Sequence, residues 1–272
     1  MTDVTQGVHM PTELFAGPWL GEFGWELMQW QAVVRAASRR YDRTIVCSFP
    51  GRAALYADFA AEFVAHPFIV VPDMARACRG TRPSDGTIDA LVPRTSTARL
   101  SPGERYRNLT PEFIRYGTPQ SEYRGCLVFH ARMRRDWGTG RNWPVELWER
   151  LGERLASRGD APPTASIGAL TASTHVPHSL DLRGINLCAL MDVIASAALV
   201  VGPSSGPMHL ASLCGTAHLV WVGEHRLVSR YRKDWNPLQT PCRVLDCGWR
   251  PDVSLVEAEI IGYLDELRRR TS

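Results

Sequence analysis

The chain has 272 residues, of which 44% are hydrophobic and 22% are charged, and its formal net charge is +3. This composition is typical of a globular protein with enough apolar material for one large or two small domains. It lacks the dense basic surface usual in duplex-binding proteins, and no apolar run is long enough to span a bilayer.

The seven cysteines show neither a disulfide framework nor zinc-ligand spacing. Several lie in apolar runs such as IVCSF and CLVFH, where cysteine behaves as a small buried hydrophobic residue. The N-terminal stretch MTDVTQGVHMPTE has no basic-then-apolar targeting signal. We therefore expect a cytoplasmic protein with no membrane span, no metal site and no cofactor.

The first half of the chain alternates predicted strands and helices. The predicted strands are LFAG, RTIVCSF and FIVVP, and the predicted helices are WELMQWQAVVRAASRR and RAALYADFAAEFVAH. From about Met74 to Ser101 the pattern gives way to a polar segment rich in proline and glycine, which predicts a long loop.

A more regular alternation begins at Gly125. The predicted strands are CLVFHAR, TASIGAL, ALVVG and HLVWVG, and the predicted helices are PVELWERLGERLASRG, NLCALMDVIASA and SLVEAEIIGYLDELRRR. Ser254 is the expected N-cap of the last helix. Strands that alternate with helices predict parallel sheets with crossover helices. We therefore expect an α/β protein with two Rossmann-like domains facing a cleft.

The segment GEFGWELMQWQ follows the first predicted strand. Its glycines, Gly21 and Gly24, allow close backbone approach, and Trp25 is a candidate wall for a sugar or apolar group. Glu22 and Glu26 flank the helix start, where a carboxylate either acts as a general base or complements the helix dipole.

The segment FHARMRRDWGTGRNWP follows the strand that begins near Gly125. It offers His130, Arg132, Arg134 and Arg141 in a glycine-containing loop. Clustered guanidinium groups are costly unless anions neutralise them. This loop is therefore a candidate anion site, with an ordinary solvated loop as the alternative.

The segment GPSSGPMHLASLCGT follows the strand ALVVG. Ser205 or Gly206 suits the helix N-cap and Pro207 the first helical position. The amides of a helix N-terminus at the carboxyl end of a parallel strand bind phosphate, although an ordinary turn has the same composition. Because both loops follow strands of one sheet, together they predict a diphosphate site for a nucleotide or nucleotide sugar.

These residues resemble a known family. From about Gly125 to Gly223 the chain resembles the nucleotide-binding half of GT-B glycosyltransferases, closest to the heptosyltransferase-like family. The resemblance rests on GRNWPVELWERLGERL, DLRGINLCALMDVIASAALVVG and SSGPMHLA. In addition, GEFGWELMQWQ and HARMRRD are similar to loops of some fucosyltransferases, which share the GT-B fold.

The resemblance implies roles for individual residues. Arg141 and the Ser205–Gly206–Pro207 backbone would contact donor phosphate, with His209 beside them and Arg132 or Arg134 as the arginine of the phosphate loop. The full expected donor-binding set is His130, Arg132, Arg134, Arg141, Ser204, Ser205, Gly206, Pro207, Met208, His209 and Glu224.

The chain departs from the family at two positions. Ser204 stands where the family usually has aspartate, which bears on sugar preference. The family's base is an aspartate directly after the loop glycine, whereas Trp25 follows Gly24 here. Glu26 is therefore the first choice as catalytic base and Glu22 the second.

The resemblance implies a compact N-terminal acceptor domain over 1–122 and a nucleotide-sugar-binding domain over 123–253. A terminal helix over 254–272 would pack back on the N-terminal domain. The expected activity is inverting, metal-independent transfer of a sugar from a nucleotide-diphospho-sugar to an acceptor hydroxyl, on a small molecule or glycan. The alternatives are a nucleotide-sugar hydrolase or epimerase, a non-catalytic nucleotide-binding module, and a glycosyltransferase that acts on nucleic acid.

Overall fold

A computed structural model describes residues 12–68, 85–102, 109–135 and 138–271. The chain divides into two compact units, unit 1 (Met1–Glu112) and unit 2 (Phe113–Ser272). The division falls ten residues before the predicted domain boundary at 122. In the described parts of the chain, no helix is long and apolar enough to cross a membrane.

Unit 1 contains a parallel four-stranded sheet. Its strands are β1 (Glu13–Ala16), β2 (Arg43–Ser48), β3 (Glu62–Ala65) and β4 (Ala98–Leu100), in the order β3-β2-β1-β4. The helical segments are α1 (Phe23–Trp25), a π-helix (Glu26–Trp30), α2 (Gln31–Ser38), a 3-10 helix (Ala53–Leu55) and α3 (Asp85–Asp89). Phe15, Ile45 and Cys47 form a buried cluster on this sheet.

Two predictions for unit 1 are wrong. The predicted helix RAALYADFAAEFVAH is instead a 3-10 turn followed by β3, because the EFVA stretch pairs with β2 from Ile45 to Ser48. The predicted long loop contains α3 and β4, and β4 adds to the sheet beside β1. The predicted strand FIVVP lies outside the described residues from Ile69 onward.

Unit 2 contains a parallel six-stranded sheet in the order β10-β9-β8-β5-β6-β7. Its strands are β5 (Leu127–Phe129), β6 (Thr164–Ser166), β7 (Leu180–Asp181), β8 (Leu199–Pro203), β9 (His218–Val222) and β10 (Cys242–Asp246). Its α-helices are α4 (Val145–Ala156), α5 (Leu187–Ser196), α6 (Gly206–Cys214), α7 (His225–Arg232) and α8 (Val253–Thr271). Short 3-10 helices span Ser121–Tyr123 and Thr139–Arg141.

Tryptophan rings fill the core of unit 2. Trp143, Trp148 and Trp221 are fully buried, with ring centroids 4.8–5.5 Å apart. Leu147, Leu151 and Leu155 of α4 pack in the same core. Fully burying a large apolar side chain stabilises a fold by about 1.5–3 kcal/mol, so these rings are a main source of the stability of unit 2.

The terminal helix differs from the prediction in its packing and its cap. The expectation was that it returns to the N-terminal domain, but Val256, Ile260 and Leu264 of α8 belong to the core of unit 2. Its first turn is capped by Asp252, whose Oδ1 accepts from the Ser254 amide at 2.7 Å, rather than by Ser254.

The chain order of the strands in unit 2 reverses between β5 and β8. From β5 the sheet continues through β6 and β7 to one edge, and from β8 through β9 and β10 to the other. Open α/β sheets bind ligands at the carboxyl ends of strands at such a reversal. The loops after β5 and β8 are the two that were predicted to bind anions.

Candidate functional site

The loops after β5 and β8 meet through one hydrogen bond in unit 2. His130 follows β5, and its Nδ1 lies 2.9 Å from the Oγ of Ser205, which follows β8. The backbone amide of His130 also donates to the Val201 oxygen at 2.9 Å, which continues the pairing of these strands. The structure therefore brings together the two loops that the sequence singled out.

Ser205, one of the two predicted N-caps, is the N-cap of α6. Its backbone is extended and its side chain makes no capping bond, because its hydroxyl is engaged with His130. The helix begins at Gly206, so Pro207 is its second residue and not its first as predicted. The Gly206 amide lacks an intrahelical acceptor, as first-turn amides do. Met208 is fully buried beneath this turn. The N-terminus of α6 thus presents a backbone donor and a positive dipole end.

His209 is clamped by two aromatic rings. Its imidazole stacks on Tyr231 with centroids 5.1 Å apart and meets the edge of Trp235 at 4.8 Å. Its Nδ1 is buried and has no hydrogen-bond partner among the described residues. Burial, with smaller contributions from His218 and Arg141, lowers the pKa of His209 to about 3. Near neutral pH the ring is uncharged.

His130 is also uncharged near neutral pH. Burial and the neighbouring positive charges of Arg132 and Arg134 lower its pKa to about 3. A neutral imidazole donates from one nitrogen and accepts at the other. The two histidines of this site can therefore contribute hydrogen bonds, while the positive charge has to come from arginine.

Arg132 is committed to shaping its own loop. It is 5% exposed, and its Nη1 donates to the Gly138 oxygen at 2.9 Å and to Oδ1 of Asn142. Asn142 also bonds the backbone nitrogen and oxygen of Arg134, at 3.1 and 2.7 Å. Arg134 itself is half-buried. Arg132 therefore stabilises the loop that contains Arg134 and Arg141.

Arg141 is exposed at the end of the Thr139–Arg141 turn. Its guanidinium carbon lies 5.5 Å from the ring centroid of Trp249, and no carboxylate in the described part of the chain pairs with it. Its charge adds to the lowering of the pKa of His209 and opposes part of the rise that burial causes in the pKa of Tyr231, so its field reaches the start of α6.

Two residues of the expected donor-binding set are bonded to other side chains of unit 2. Ser204 is 4% exposed, and its Oγ accepts a hydrogen bond from the Tyr231 hydroxyl at 3.0 Å. Glu224 is the N-cap of α7, and its Oε2 pairs with Arg226 at 2.6 Å. The hydroxyl of Ser204 is therefore engaged inside unit 2.

Glu26 in unit 1 is fully buried. Its Oε1 accepts from the Tyr56 hydroxyl at 2.6 Å and from the Ser48 hydroxyl, and its Oε2 lies 3.7 Å from Nε of Arg52. Burial raises the pKa of this carboxyl, against the opposing effect of Arg52. Glu26 was the first choice as catalytic base, but a carboxylate with no exposed surface cannot reach an acceptor hydroxyl in this conformation.

Glu22 is the less buried of the two candidate bases. It directly follows the buried Gly21, and Gly24 lies inside α1. Glu22 is half-buried at the N-cap of α1 and makes no capping bond. Trp25, the candidate wall residue, is half-buried as well. Of the two candidate bases, Glu22 is therefore the one whose side chain has exposed surface.

Sequence reasoning missed several residues that shape these sites. They are Tyr231, Trp235 and Trp249 in unit 2, and Ser48, Arg52 and Tyr56 in unit 1. The aromatic and basic residues close together in HRLVSRYRKDW could have indicated that α7 and the segment after it border a binding site. Within the described residues, no three His, Cys, Asp or Glu side chains are grouped to hold a metal ion.

Solved structures resemble the whole chain. ADP-heptose heptosyltransferase II of Escherichia coli has a TM-score of 0.59 and 15% identity, over 94% of this chain and 99% of the other. A family 9 glycosyl transferase of Veillonella parvula has a TM-score of 0.53 and 12% identity, over 94% and 92%. Heptosyltransferase WaaC of E. coli, solved with ADP, has a TM-score of 0.53 and 12% identity, over 94% and 99%.

No protein-family model matches the chain, and no curated protein sequence does. The structural likeness, at identities this low, establishes the fold. The chain has the α/β fold, with parallel sheets, of GT-B-type glycosyltransferases, and the resemblance to the heptosyltransferase-like family is confirmed at that level.

Proposed function

We propose that this protein is a glycosyltransferase that binds a nucleotide-diphospho-sugar on unit 2 and transfers the sugar to an acceptor hydroxyl. The observation that supports this proposal is the strand reversal between β5 and β8, where the start of α6 meets the loop that contains Arg141. The enzymes with the same fold that are named above support the reaction class, and one of them was solved with ADP.

The leaving diphosphate would be stabilised by charge and by backbone donors. Arg141 has no carboxylate partner in the described residues, and the first turn of α6 offers an amide and its dipole. Donors that are fixed before the reaction stabilise developing charge without reorganisation. This supply of positive charge from the chain itself supports a metal-independent reaction.

Glu22 would act as the general base. As the acceptor oxygen attacks the anomeric carbon, its proton passes to the Glu22 carboxylate and the bond from that carbon to the diphosphate oxygen breaks. A single displacement of this kind inverts the sugar carbon. The half-buried carboxylate of Glu22 supports this role, and the complete burial of Glu26 gives Glu26 a supporting role in unit 1.

Nucleotide binding tests the first half of the proposal. We expect at least one of ADP, GDP, UDP, CDP and dTDP to raise the melting temperature, with about 2.7 kcal/mol of stabilisation at a hundred times its Kd. Arg141→Met should weaken that binding, whereas Arg158→Met, on an exposed pair with Asp160, serves as the matched control. A chain that responds to no nucleotide would refute the proposal.

Turnover tests the second half. With the sugar derivative of the tightest nucleotide, we expect acceptor-dependent release of nucleoside diphosphate and configuration inversion in the product. Glu22→Gln should abolish turnover and leave nucleotide affinity unchanged. Full-rate release without an acceptor would instead identify a hydrolase, and tight binding without any turnover would identify a binding module.

A further inference from the structure

Trp249 contacts both Arg141 and Gly223 from the segment that follows β10. It follows β10 and is half-buried, and its indole lies directly on Gly223, which follows β9. A β-carbon at Gly223 would come 2.0 Å from Nε1 of Trp249. Real side-chain contacts do not approach so closely, so any residue other than glycine at 223 would displace the indole.

A buried hydrogen bond ties the Trp249 segment to the Arg141 segment. Nε1 of Trp143 donates to the Pro251 oxygen at 2.9 Å, and Trp143 is fully buried. Trp143 comes two residues after Arg141, and Pro251 comes two residues after Trp249. The contact between the arginine and the indole therefore lies beside a fixed point of the core.

The partner of Arg141 differs in kind from the partners of two other arginines of unit 2. Arg226 is paired with Glu224, and Arg132 is bonded to a backbone oxygen and an amide oxygen. An aromatic face attracts a cation through its quadrupole and leaves the net charge in place. A carboxylate would hold the side chain equally well but would cancel the charge that an anionic ligand needs.

We propose that Trp249 is a positioning residue that holds Arg141 in place with its charge intact for the diphosphate of the donor, and that Gly223 makes room for it. This inference rests on the proposed function. It identifies residues 223 and 249 as determinants of diphosphate affinity, although neither belongs to the predicted donor set. The contribution should be specific for phosphate, because the indole acts through a cation.

The test compares three probes on the full chain. The probes are the nucleoside diphosphate that binds most tightly, the matching nucleoside, and inorganic pyrophosphate, each titrated by calorimetry. We expect Trp249→Leu to raise the Kd of the two phosphate probes by about threefold to tenfold and to leave the nucleoside unchanged. Trp249→Phe keeps an aromatic face and should recover part of the loss.

Gly223→Ala probes the same contact from the other side. It should weaken the phosphate probes as Trp249→Leu does, because the added methyl group displaces the indole. Gly140→Ala, next to Arg141 and with nothing within 4 Å of the added carbon, is the matched control and should bind like the wild type. Circular dichroism verifies that each variant is folded.

A double-mutant cycle separates positioning from a direct contact. In the Arg141→Met background, Trp249→Leu should have no further effect on either phosphate probe. An equal loss for nucleoside and nucleoside diphosphate, or an undiminished loss in the Arg141→Met background, would overturn the inference. A wild-type chain that binds no nucleoside diphosphate would overturn the proposed function as well, whereas Trp249 variants that bind like the wild type overturn this inference alone.

Discussion

Mild acid is expected to destabilise this protein because three of its histidines are buried in unit 2. Burial lowers the pKa of His130 and of His209 to about 3 and that of His218 to about 4. The unfolded chain protonates the same rings near the ordinary value of about 6.5. Between these limits the unfolded state binds more protons, so the free energy of unfolding falls as the pH falls.

The size of the effect follows from these values. On going from about pH 7 to about pH 5, each ring should remove about 2 kcal/mol from the free energy of unfolding, or about 6 kcal/mol for the three. A typical domain has only about 5–15 kcal/mol in total. Glu26 acts in the opposite direction, because burial raises the pKa of its carboxyl and the folded state then holds the extra proton.

Urea denaturation at several pH values measures this loss, and single substitutions isolate one ring. Because Glu26 is present in every variant, its contribution cancels when slopes are compared. We expect His218→Gln to reduce the loss between about pH 7 and about pH 5 by about 2 kcal/mol, whatever its effect on absolute stability. His178→Asn is the control, because His178 is exposed and asparagine tolerates its positive φ of 62°. Stability that is constant or rises on acidification, or equal slopes in both variants, would refute the reasoning.

Three further predictions concern packing and buried hydrogen bonds, and each is checked by urea denaturation. Arg35→Ala should lower the free energy of unfolding by about 3–5 kcal/mol, because this fully buried side chain donates to a carboxylate and two backbone oxygens. Arg39→Ala, at an exposed ion pair, should change it by less than about 1 kcal/mol. Gly117→Ala should destabilise far more than Gly125→Ala. Both glycines have positive φ, but only at Gly117 would the added carbon meet a backbone oxygen, at 2.3 Å. Tyr231→Phe should cost about 1–3 kcal/mol, because it removes a buried hydrogen bond and keeps the ring. Equal effects within either pair, or a neutral Tyr231→Phe, would contradict the structure.

The regular half of the chain was predictable from sequence because its local signals agree with its tertiary structure. The strands β5, β6, β8 and β9 and the helices α4, α5 and α8 lie where hydrophobic periodicity predicted them, and α6 lies where its capping residues indicated a helix start. Asn186 and Ser205 are the N-caps of two of these helices. The edge strands β7 and β10 and helix α7 were missed, because β7 is only two residues long and α7 is rich in charged residues.

The wrong predictions for unit 1 arise where strand pairing overrides helical periodicity. The RAALYADFAAEFVAH segment has helix-like spacing, yet its second half extends as β3 along β2, and Tyr56 turns inward to bond Glu26. Local pattern does not report a strand whose stability comes from a neighbour far away in sequence. The same limit explains the choice of Glu26 as base, since a sequence does not show which of two glutamates one turn apart is buried.

In each unit an arginine lies over an aromatic ring, Arg52 in unit 1 and Arg141 in unit 2, and the two differ in their other partners. Arg52 lies 3.8 Å from the centroid of Phe23 and 3.7 Å from the Glu26 carboxylate, whereas Arg141 lies 5.5 Å from the centroid of Trp249. Whenever Glu26 is ionised, the charge of Arg52 is balanced within unit 1, and a bound anion would have to compete with a carboxylate that cannot leave. No such competitor faces Arg141 in the described residues. Under the proposed function, a diphosphate would therefore gain more at Arg141 than at Arg52, which chiefly compensates the buried carboxylate of Glu26.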